Sequence, residues 1–457
     1  MISCMSSQSR RDFVKTGIGA FAFAAAGRAV GADAPSNRVR VAIVGCHVKG
    51  RGFVVMKQAM TVPGVEVACV CDVDARAREA AAAYVEKQTG RAPVKEKDFR
   101  KVLEMPDIDA VVSETPDHFH AYSAVMAMRA GKHVYVEKPC AYCPEELFVI
   151  RRVQAETCMV FQQGSQRRSA PSFISAIKEI REKGLIGEPK WGRCWYNTVR
   201  GPIGRGRKTA VPEWLDWDLW QGPAPREAFR DNIVHYNWHW FRAWGTGECG
   251  NNQVHFVDVA RWMLGCEWPE RVVSGGGKYW IPDGQDWEWP DTQMISYGFP
   301  GGKFITWEGT CCTDVKPFMG VSTGAMVYGD RGAAFFAPGG GVSVFDGKSK
   351  LVKEWSPEGV PKDKIVTDTN NRSGGGWFDS TPAHIGNFAD CVRENAPHKC
   401  NADVDVATKS TYLALVGNVA QLSGEVLKID AASGRLLSGG AAAKLWSREY
   451  QPGWEVA

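Results

Sequence analysis

One lysine lies where its charge could serve chemistry. The segment YVEKPCAYC, residues 135–143, places Glu137 and Lys138 directly after an apolar run that is typical of a buried strand. Burying a charge is costly, so this position requires an explanation. An ammonium group there could bind a substrate hydroxyl or stabilise a developing alkoxide. The alternative is a surface lysine after an edge strand. Pro139 fixes the adjacent backbone, and a cis Lys138–Pro139 peptide bond is one way in which it could do so.

A second group of residues could transfer protons. His255 lies at the start of the amphipathic pattern VHFVDVARWML, and an imidazole that titrates near neutrality suits acid–base chemistry. A packed core histidine is the alternative. Asp258, one helical turn later on the same face, could orient His255 or pair with Arg261. The aromatic segment HYNWHWFRAWGTGE adds Tyr236 and His239 as candidates, and we expect it to wall the pocket.

The elements that would position these residues alternate between strand and helix. VRVAIVGCHVKGRGF is typical of a strand, a glycine turn and a helix start, and VEVACVCDVD adds a strand that ends in acid. This alternation predicts βαβ units and a parallel sheet. The turn contains Gly45, His47 and Gly50, with Gly52 just beyond. A histidine thus occupies the place of the second glycine in the dinucleotide-binding fingerprint.

This context predicts a dinucleotide site. The helix start supplies N–H groups and a positive dipole end for a pyrophosphate. Asp72 ends the second strand, where an acid accepts hydrogen bonds from ribose hydroxyls. That acid repels a 2′-phosphate, which favours NAD, although nearby Arg76 keeps NADP open as an alternative. The predicted cofactor-binding residues are Gly45, His47, Gly50, Arg51, Asp72, Thr115, Pro116, His120, Glu137 and Lys138.

Two further segments lie near the predicted site. In TPDHFH, residues 115–120, Thr115 and Asp117 either cap the following helix or contact the cofactor, and the two roles are compatible. In GSQRRS, Arg167 falls where the chain crosses between domains. Arg167 could bind a substrate oxygen or form an interdomain salt bridge.

Length and composition limit the classes of protein. A chain of 457 residues exceeds one ordinary core, which predicts two domains. The net charge of +4, with no block of lysine or arginine, disfavours nucleic acid and a membrane surface as partners. Fourteen cysteines with one C-x-x-C pair predict no metal site and mostly buried free thiols. The 18 tryptophans are interpreted mainly as core filling, with a sugar-stacking groove as the alternative.

The N-terminus resembles an export signal. Arg10 and Arg11 are followed by Phe13, Lys15 and a weakly apolar stretch that ends in small residues. The pattern is similar to a twin-arginine signal peptide over residues 1–34, and its apolar segment is too short to anchor the chain in a bilayer. We therefore expect twin-arginine export to the periplasm in a folded state. The alternative is a disordered tail.

Taken together, the motifs resemble those of a known family. AIVGCHVKGRG, CDVD, TPDHFHA, VEKP, GSQRRS and GNNQVHFVDVARWML occur in the order and spacing of the Gfo/Idh/MocA oxidoreductases, such as glucose–fructose oxidoreductase and inositol dehydrogenase. The resemblance implies an α/β protein with an N-terminal Rossmann domain, over residues 35–160. An α/β domain with a large, mostly antiparallel open sheet follows over residues 161–457, and the cofactor lies between the two.

The resemblance also implies roles for single residues. Lys138 matches the family's active-site lysine, and His255 matches the general base of inositol dehydrogenase-like members. Those members carry an aspartate four residues before the histidine, where this chain has Asn251, which cannot raise the imidazole's basicity as a carboxylate does. Glu248 could supply the missing carboxylate. The predicted catalytic residues are Lys138, His255 and Tyr236, and the predicted substrate-binding residues are Arg167, His239, Asn251 and Asp258.

The expected function combines the family with the leader. No nucleotide pool outside the cytoplasm recycles NADH, so tightly bound NAD must return each hydride it takes. The resemblance implies a carbohydrate substrate and two redox-neutral reactions. One is transhydrogenation between sugars, and the other is glycoside cleavage by transient oxidation, elimination and hydride return. A plain NAD(P)-dependent sugar or polyol dehydrogenase and an inactive dinucleotide-bound protein are the alternatives. Family members associate through the open sheet, which implies a homodimer or homotetramer.

Overall fold

The structure, a computed structural model, describes residues 37–357, 380–437 and 439–456. The predicted signal peptide, residues 1–34, lies outside the described residues. The strands are β1 (Val39–Val44), β2 (Val65–Cys71), β3 (Val94–Glu96), β4 (Ala110–Ser113), β5 (His133–Val136), β6 (Phe161–Gln163), β7 (Pro189–Asn197), β8 (Arg271–Gly277), β9 (Thr292–Phe299), β10 (Lys303–Thr310), β11 (Thr323–Gly329), β12 (Gly332–Phe336), β13 (Val342–Asp346), β14 (Leu351–Trp355) and β15 (Leu427–Lys428). The α-helices are α1 (Arg51–Ala59), α2 (Ala75–Thr89), α3 (Phe99–Leu103), α4 (Asp117–Arg129), α5 (Pro144–Thr157), α6 (Pro171–Lys183), α7 (Trp217–Gln221), α8 (Val254–Leu264), α9 (Thr381–Glu394), α10 (Val404–Ser423) and α11 (Gly440–Lys444).

The first sheet is parallel, with the strand order β3-β2-β1-β4-β5-β6. This is the doubly wound order, in which ligands bind outside the carboxyl ends of the strands where the order reverses. The central strands β1, β4 and β5 are almost entirely buried, because helices cover both faces of a parallel sheet. The carboxyl edge next to β1 and β4 is therefore the expected place of the cofactor.

The second sheet has nine strands in the order β14-β13-β12-β11-β7-β10-β9-β8-β15. Its neighbouring strands run antiparallel, except that β7 and β10 are parallel. Helix α8 lies close against β7, since a Cβ atom on Gly192 would stand 3.0 Å from the Cβ of Ala260. The fold class predicted from the sequence is confirmed.

The two domains are less separate along the chain than the predicted boundary at residue 160 implies. Strand β6 pairs with β5, so the first sheet extends past that boundary. Helix α9 then returns from the second domain and packs Ile385 and Phe388 into the core of the first sheet. Sequence patterns do not reveal such a return, because the apolar face of a helix does not identify the sheet that it covers.

Many of the tryptophans pack into aromatic clusters. Trp217, Trp220 and Trp244 pack together in one cluster, and Trp240 stacks on Trp287 with ring centroids 3.8 Å apart. Core filling therefore accounts for much of the tryptophan content. In the described ranges, twelve cysteines are free thiols, and eleven of these are buried. Among the described residues, no helix combines the length and apolar character that crossing a membrane requires.

Candidate active site

A cavity of about 1090 Å³ lies along the carboxyl edge of the first sheet. Residues that follow β1, β2, β4 and β5 line one side, and residues of the second domain line the other. Every residue predicted for the site lines this cavity, with the exception of Asp258. The cavity also has a wall of residues that the sequence did not single out, among them Glu114, Tyr196 and Thr323.

The glycine turn after β1 leaves no room for side chains at two positions. Gly45 has φ +84°, and a Cβ atom on it would stand 2.7 Å from the carbonyl oxygen of Glu114. A Cβ atom on Gly52 would stand 1.8 Å from the carbonyl oxygen of Gly45. The turn closes through a hydrogen bond from the N–H of Gly50 to the carbonyl of His47. The His47 ring stacks on His235 at 4.1 Å, so the turn forms without the second glycine.

Asp72 lies where a ribose-binding acid is expected. Its carboxylate accepts hydrogen bonds from the N–H groups of Cys46, at 2.7 Å, and Asp74, at 2.9 Å, and burial raises its pKa to about 6. Arg76 is already engaged, because it pairs with Asp74 at 2.9 Å and its guanidinium lies 3.4 Å from the centroid of Trp214. Arg76, the residue that made NADP an alternative, is thus paired with Asp74, and this pairing favours NAD.

A segment of the second domain, residues 211–245, lies across the outer end of this site, and we call it the strap. The N–H of Ala75 donates to the carbonyl of Trp214 at 2.9 Å, and His235 hydrogen-bonds Asp74 at 2.8 Å. His47, Asp74 and His235 bring possible metal-ligating atoms within 4.8 Å of one another. The Asp74 carboxylate, however, already accepts hydrogen bonds from Arg76 and from the first turn of α2. The contact therefore joins the strap to the first domain.

Lys138 lines the cavity and is joined to Pro139 by a cis peptide bond. Its ammonium donates to the carbonyl oxygen of Asn251 at 2.7 Å and to the Oδ1 atom of Asn251 at 3.1 Å. Burial lowers the lysine's pKa, and the carboxylates of Glu137 and Asp117 oppose that shift. Glu137 in turn accepts from the N–H of Lys138 and from Arg51 at 3.2 Å. The buried charges at this strand end are therefore mutually compensated.

His255 lies in the first turn of α8, after the π-helical segment Cys249–Gln253. Such π-helical turns occur frequently at functional sites. Burial lowers the pKa of His255 well below its usual value, and the cations Arg167 and Lys138 lower it further. No hydrogen bond joins its ring to another residue in the part of the chain that the structure describes. His255 is therefore a neutral imidazole at the cavity, able to accept a proton.

Two carboxylates that the sequence placed near His255 serve other partners. Glu248 binds Arg200 at 3.1 Å in a buried ion pair, so it does not replace the missing family aspartate. Asp258 binds Arg168 at 2.7 Å and accepts a hydrogen bond from Ser410. Because Asp258 lies outside the cavity lining, its predicted substrate contact is wrong, as is its pairing with Arg261. The ion-pair partner of each of these carboxylates is an arginine that is distant in the sequence.

The remaining predicted residues line the cavity in several ways. His239 donates from Nδ1 to the carbonyl of Tyr236 at 2.6 Å and stacks on Trp238 at 3.6 Å. The guanidinium of Arg167 lies 4.5 Å from the ring centroid of Phe256. These contacts hold Tyr236, His239 and Arg167 in the cavity wall.

The segment after β4 joins the two domains. Helix α4 begins at Asp117 with Pro116 as its N-cap and no side-chain cap, so the helix-capping alternative is wrong. Asp117 instead accepts a hydrogen bond from the N–H of Thr246 at 3.0 Å. His120 donates from Nδ1 to the carbonyl of Pro139 at 2.7 Å, and this bond links α4 to the loop that contains Lys138.

Replacing Asn251 with aspartate is expected to raise the pKa of His255, because a nearby carboxylate stabilises the imidazolium. A general base works in its neutral form, so the acid limb of the kcat/KM profile would move upward by on the order of one pH unit. NMR titration of the imidazole measures the same shift without substrate. An unchanged titration would contradict an electrostatic influence of position 251 on His255.

The fold and site define a two-domain protein with a Rossmann-type dinucleotide site. Residues 39–164 match the family model described as an oxidoreductase family with an NAD-binding Rossmann fold, and residues 176–273 match its C-terminal alpha/beta domain. Both domains of the chain match the Gfo/Idh/MocA oxidoreductase family, and the first matches as an NAD-binding Rossmann domain. The glycine turn, the acid Asp72 and the N-terminus of α1 fit that cofactor.

Curated relatives include glycoside-cleaving enzymes by name. A glycosyl hydrolase family 109 protein of Saccharopolyspora erythraea is 30% identical over 191 residues, covering 36% of this chain and 41% of the relative. An alpha-N-acetylgalactosaminidase of Shewanella oneidensis is 30% identical over 175 residues, covering 36% and 37%. The match thus spans less than half the length of these relatives.

Solved structures share the fold. The aldose-aldose oxidoreductase from Caulobacter crescentus complexed with glycerol has a TM-score of 0.63 at 17% identity, covering 86% of this chain and 100% of that one. A levoglucosan dehydrogenase in complex with NADH and levoglucosan has a TM-score of 0.59 at 19% identity, covering 84% and 97%. At these identities the likeness concerns the fold alone.

Proposed function

We propose that the protein cleaves a glycoside in a redox-neutral reaction with tightly held NAD. The observation that carries the proposal is the placement of the Lys138 ammonium and the neutral His255 imidazole on one cavity with the dinucleotide site. The relatives named as glycosyl hydrolase family 109 proteins favour glycoside cleavage over transhydrogenation between sugars.

Lys138, His255 and Tyr236 have roles in such a reaction. When bound, NAD accepts a hydride from a ring carbon and later returns it. Lys138 binds the hydroxyl of that carbon, whose proton passes to solvent as the hydride leaves and is regained when the carbonyl is reduced. The Lys138 ammonium stabilises the negative oxygen of the alkoxide and of the enolate. His255 takes the proton from the neighbouring carbon, which the new carbonyl has acidified. The leaving group then departs, water adds to the resulting double bond, and the proton returns to carbon. Tyr236 is the second candidate for proton transfer.

Retention of the cofactor is supported by the strap. Its contacts to the first domain include the hydrogen bond from Ala75 to Trp214 and the ion pair of Lys97 with Asp216 at 2.8 Å. Arg76, which stacks on Trp214, adds a further contact. Release of the dinucleotide past the strap requires several of these contacts to break together.

The cofactor content and the redox balance test the proposal. Mass spectrometry of the denatured, purified protein is expected to detect NAD at about one per chain, since a redox-neutral cycle needs no exchange of the cofactor. A panel of nitrophenyl glycosides is then supplied without added NAD. We expect release of nitrophenol with no accumulation of NADH absorbance. Stoichiometric NADH from a polyol and added NAD, with no glycoside cleaved, would instead identify a plain dehydrogenase.

We also propose self-association through the open face of the second sheet. On that face Trp191 stacks on Tyr328 at 4.5 Å and on Phe304 at 5.5 Å. Phe304 is 38% exposed and Met294 60% exposed, and exposed apolar patches of this kind favour a protein partner. Light scattering of the purified protein is expected to give the mass of a dimer or tetramer, and a monomer mass would contradict this.

Export to the periplasm is the proposal that explains why the cofactor is kept. The twin-arginine pattern at Arg10 and Arg11 supports it. Cell fractionation is expected to find the protein outside the cytoplasm, and the double variant Arg10→Lys, Arg11→Lys is expected to remain inside. Equal distribution of the two proteins would contradict export by this route.

A further inference from the structure

Glu114 is an acid that the site described above does not use. It directly follows β4 at the carboxyl edge of the first sheet and lines the cavity. Both of its carboxyl oxygens are buried, and neither has a hydrogen-bond partner among the described residues. Leaving a buried polar group without a hydrogen-bond partner is costly, and more so when the group is charged. A carboxyl group kept in this state beside a ligand cavity indicates that the ligand supplies its partner.

The position of Glu114 identifies that ligand. Its carbonyl oxygen lies 2.7 Å from the point where a Cβ atom on Gly45 would stand, and its Cβ atom lies 2.9 Å from the corresponding point on Gly52. Both glycines belong to the turn and helix start that fit the phosphates of the dinucleotide. Glu114 is therefore packed against the part of the protein where the cofactor's charge is greatest.

The charges that face Glu114 come from two neighbouring elements. Glu137, after β5, repels a negative charge on Glu114, while Arg51 of α1 and Lys138 attract it. Arg51 also binds Glu137 at 3.2 Å and Thr381 at 2.9 Å, and Lys138 also binds Asn251. Burial, reinforced by Glu137, raises the pKa of Glu114 well above its ordinary value. A pyrophosphate brought to the turn adds further negative charge and favours the neutral acid still more.

We propose that Glu114 binds the dinucleotide as a neutral carboxylic acid whose O–H donates a hydrogen bond to a cofactor oxygen. An ionised carboxylate has no proton to donate and repels phosphate, whereas the neutral acid donates one hydrogen bond and carries no charge. Retention of NAD thus depends on one proton, and loss of that proton at high pH weakens binding. The inference rests on the NAD site and not on the proposed glycoside chemistry, so it holds even if no glycoside is cleaved.

Release of NAD from the intact holoenzyme, with no sugar present, tests the proposal. The holoenzyme is diluted into NAD-free buffers between about pH 5 and pH 9, and free NAD is followed by an enzymatic cycling assay. Above the pKa of Glu114 in the complex, the release rate is expected to rise with pH, by up to about tenfold per unit for a single proton. Glu114→Gln, which stays neutral and keeps an N–H donor, is expected to release NAD slowly at every pH.

A matched control separates this site from general pH effects. Glu79→Gln removes an exposed carboxylate of α2 that pairs with Lys95 of β3, and it is expected to keep the pH dependence of the wild type. Between about pH 7 and pH 9, above the pKa of about 6 that burial gives Asp72, a release rate that falls as pH rises would overturn the proposal, because it indicates that Glu114 is a carboxylate that accepts from cofactor hydroxyls. A wild-type release rate that does not change with pH would also overturn the proposal. So would a release rate in Glu114→Gln that rises with pH as steeply as in the wild type. The wild-type profile is decisive by itself should the variant fail to fold.

Discussion

Lys138→Met is expected to lower kcat on the glycoside substrate by about 10³-fold, the scale of losing one preorganised donor to a developing oxyanion. Methionine fills a similar volume but cannot hold the hydroxyl oxygen or stabilise the charge on the enolate. NAD is expected to stay bound, because the glycine turn, Asp72 and the strap do not depend on the ammonium. Steady-state kinetics and the NAD content of the purified variant give the two measurements.

A control for this variant is Lys101→Met. Lys101 lies on the surface, with its side chain 59% exposed and paired with the exposed Glu104, so its loss is expected to leave kcat unchanged. A Lys138 variant that keeps full activity would contradict the assigned role. A variant that loses NAD together with activity would assign Lys138 to cofactor retention.

His255→Gln is expected to lower kcat by roughly 10²–10⁴-fold, which is the usual contribution of a general base. Glutamine can still donate and accept hydrogen bonds at the cavity but cannot accept a proton near neutral pH. In the wild type, burial and the nearby cations hold the pKa of His255 low. The acid limb of the kcat/KM profile should therefore lie below the usual imidazole range: activity is present above that limb and is lost as the pH falls through it.

The His255→Gln variant is best judged by a partial reaction. If His255 removes the proton from carbon, the variant should stop exchange of that hydrogen with solvent while substrate still binds. Unaltered exchange in His255→Gln would move the role to Tyr236, the other proton-transfer candidate on the cavity. Tyr236→Phe then serves as the matched variant.

Much of the fold and site could be predicted because their signals are local. Alternating strand and helix patterns predicted the parallel sheet, and Asp72 and Lys138 line the cavity because each lies just past the end of an apolar strand. The carboxyl ends of parallel strands meet at one edge, so order along the chain is enough to bring such residues together.

The partners of the carboxylates could not be predicted in the same way. Asp258 binds Arg168 and Glu248 binds Arg200, pairs separated by 90 and 48 positions in the chain. Several arginines were equally plausible from the sequence, and only the packing of helices against sheets selects one. Glu114 did leave a signal, since it is an acid directly after a strand at the ligand edge.

The central claim is that a carbon-bound proton is removed and returned while the hydride stays within the site. Glycoside turnover in deuterated water, followed by mass spectrometry and NMR of the product, tests this directly. The account predicts one deuterium on the carbon next to the oxidised one, with the hydrogen of the oxidised carbon retained. A product with no deuterium on carbon, as direct hydrolysis would give, would contradict it.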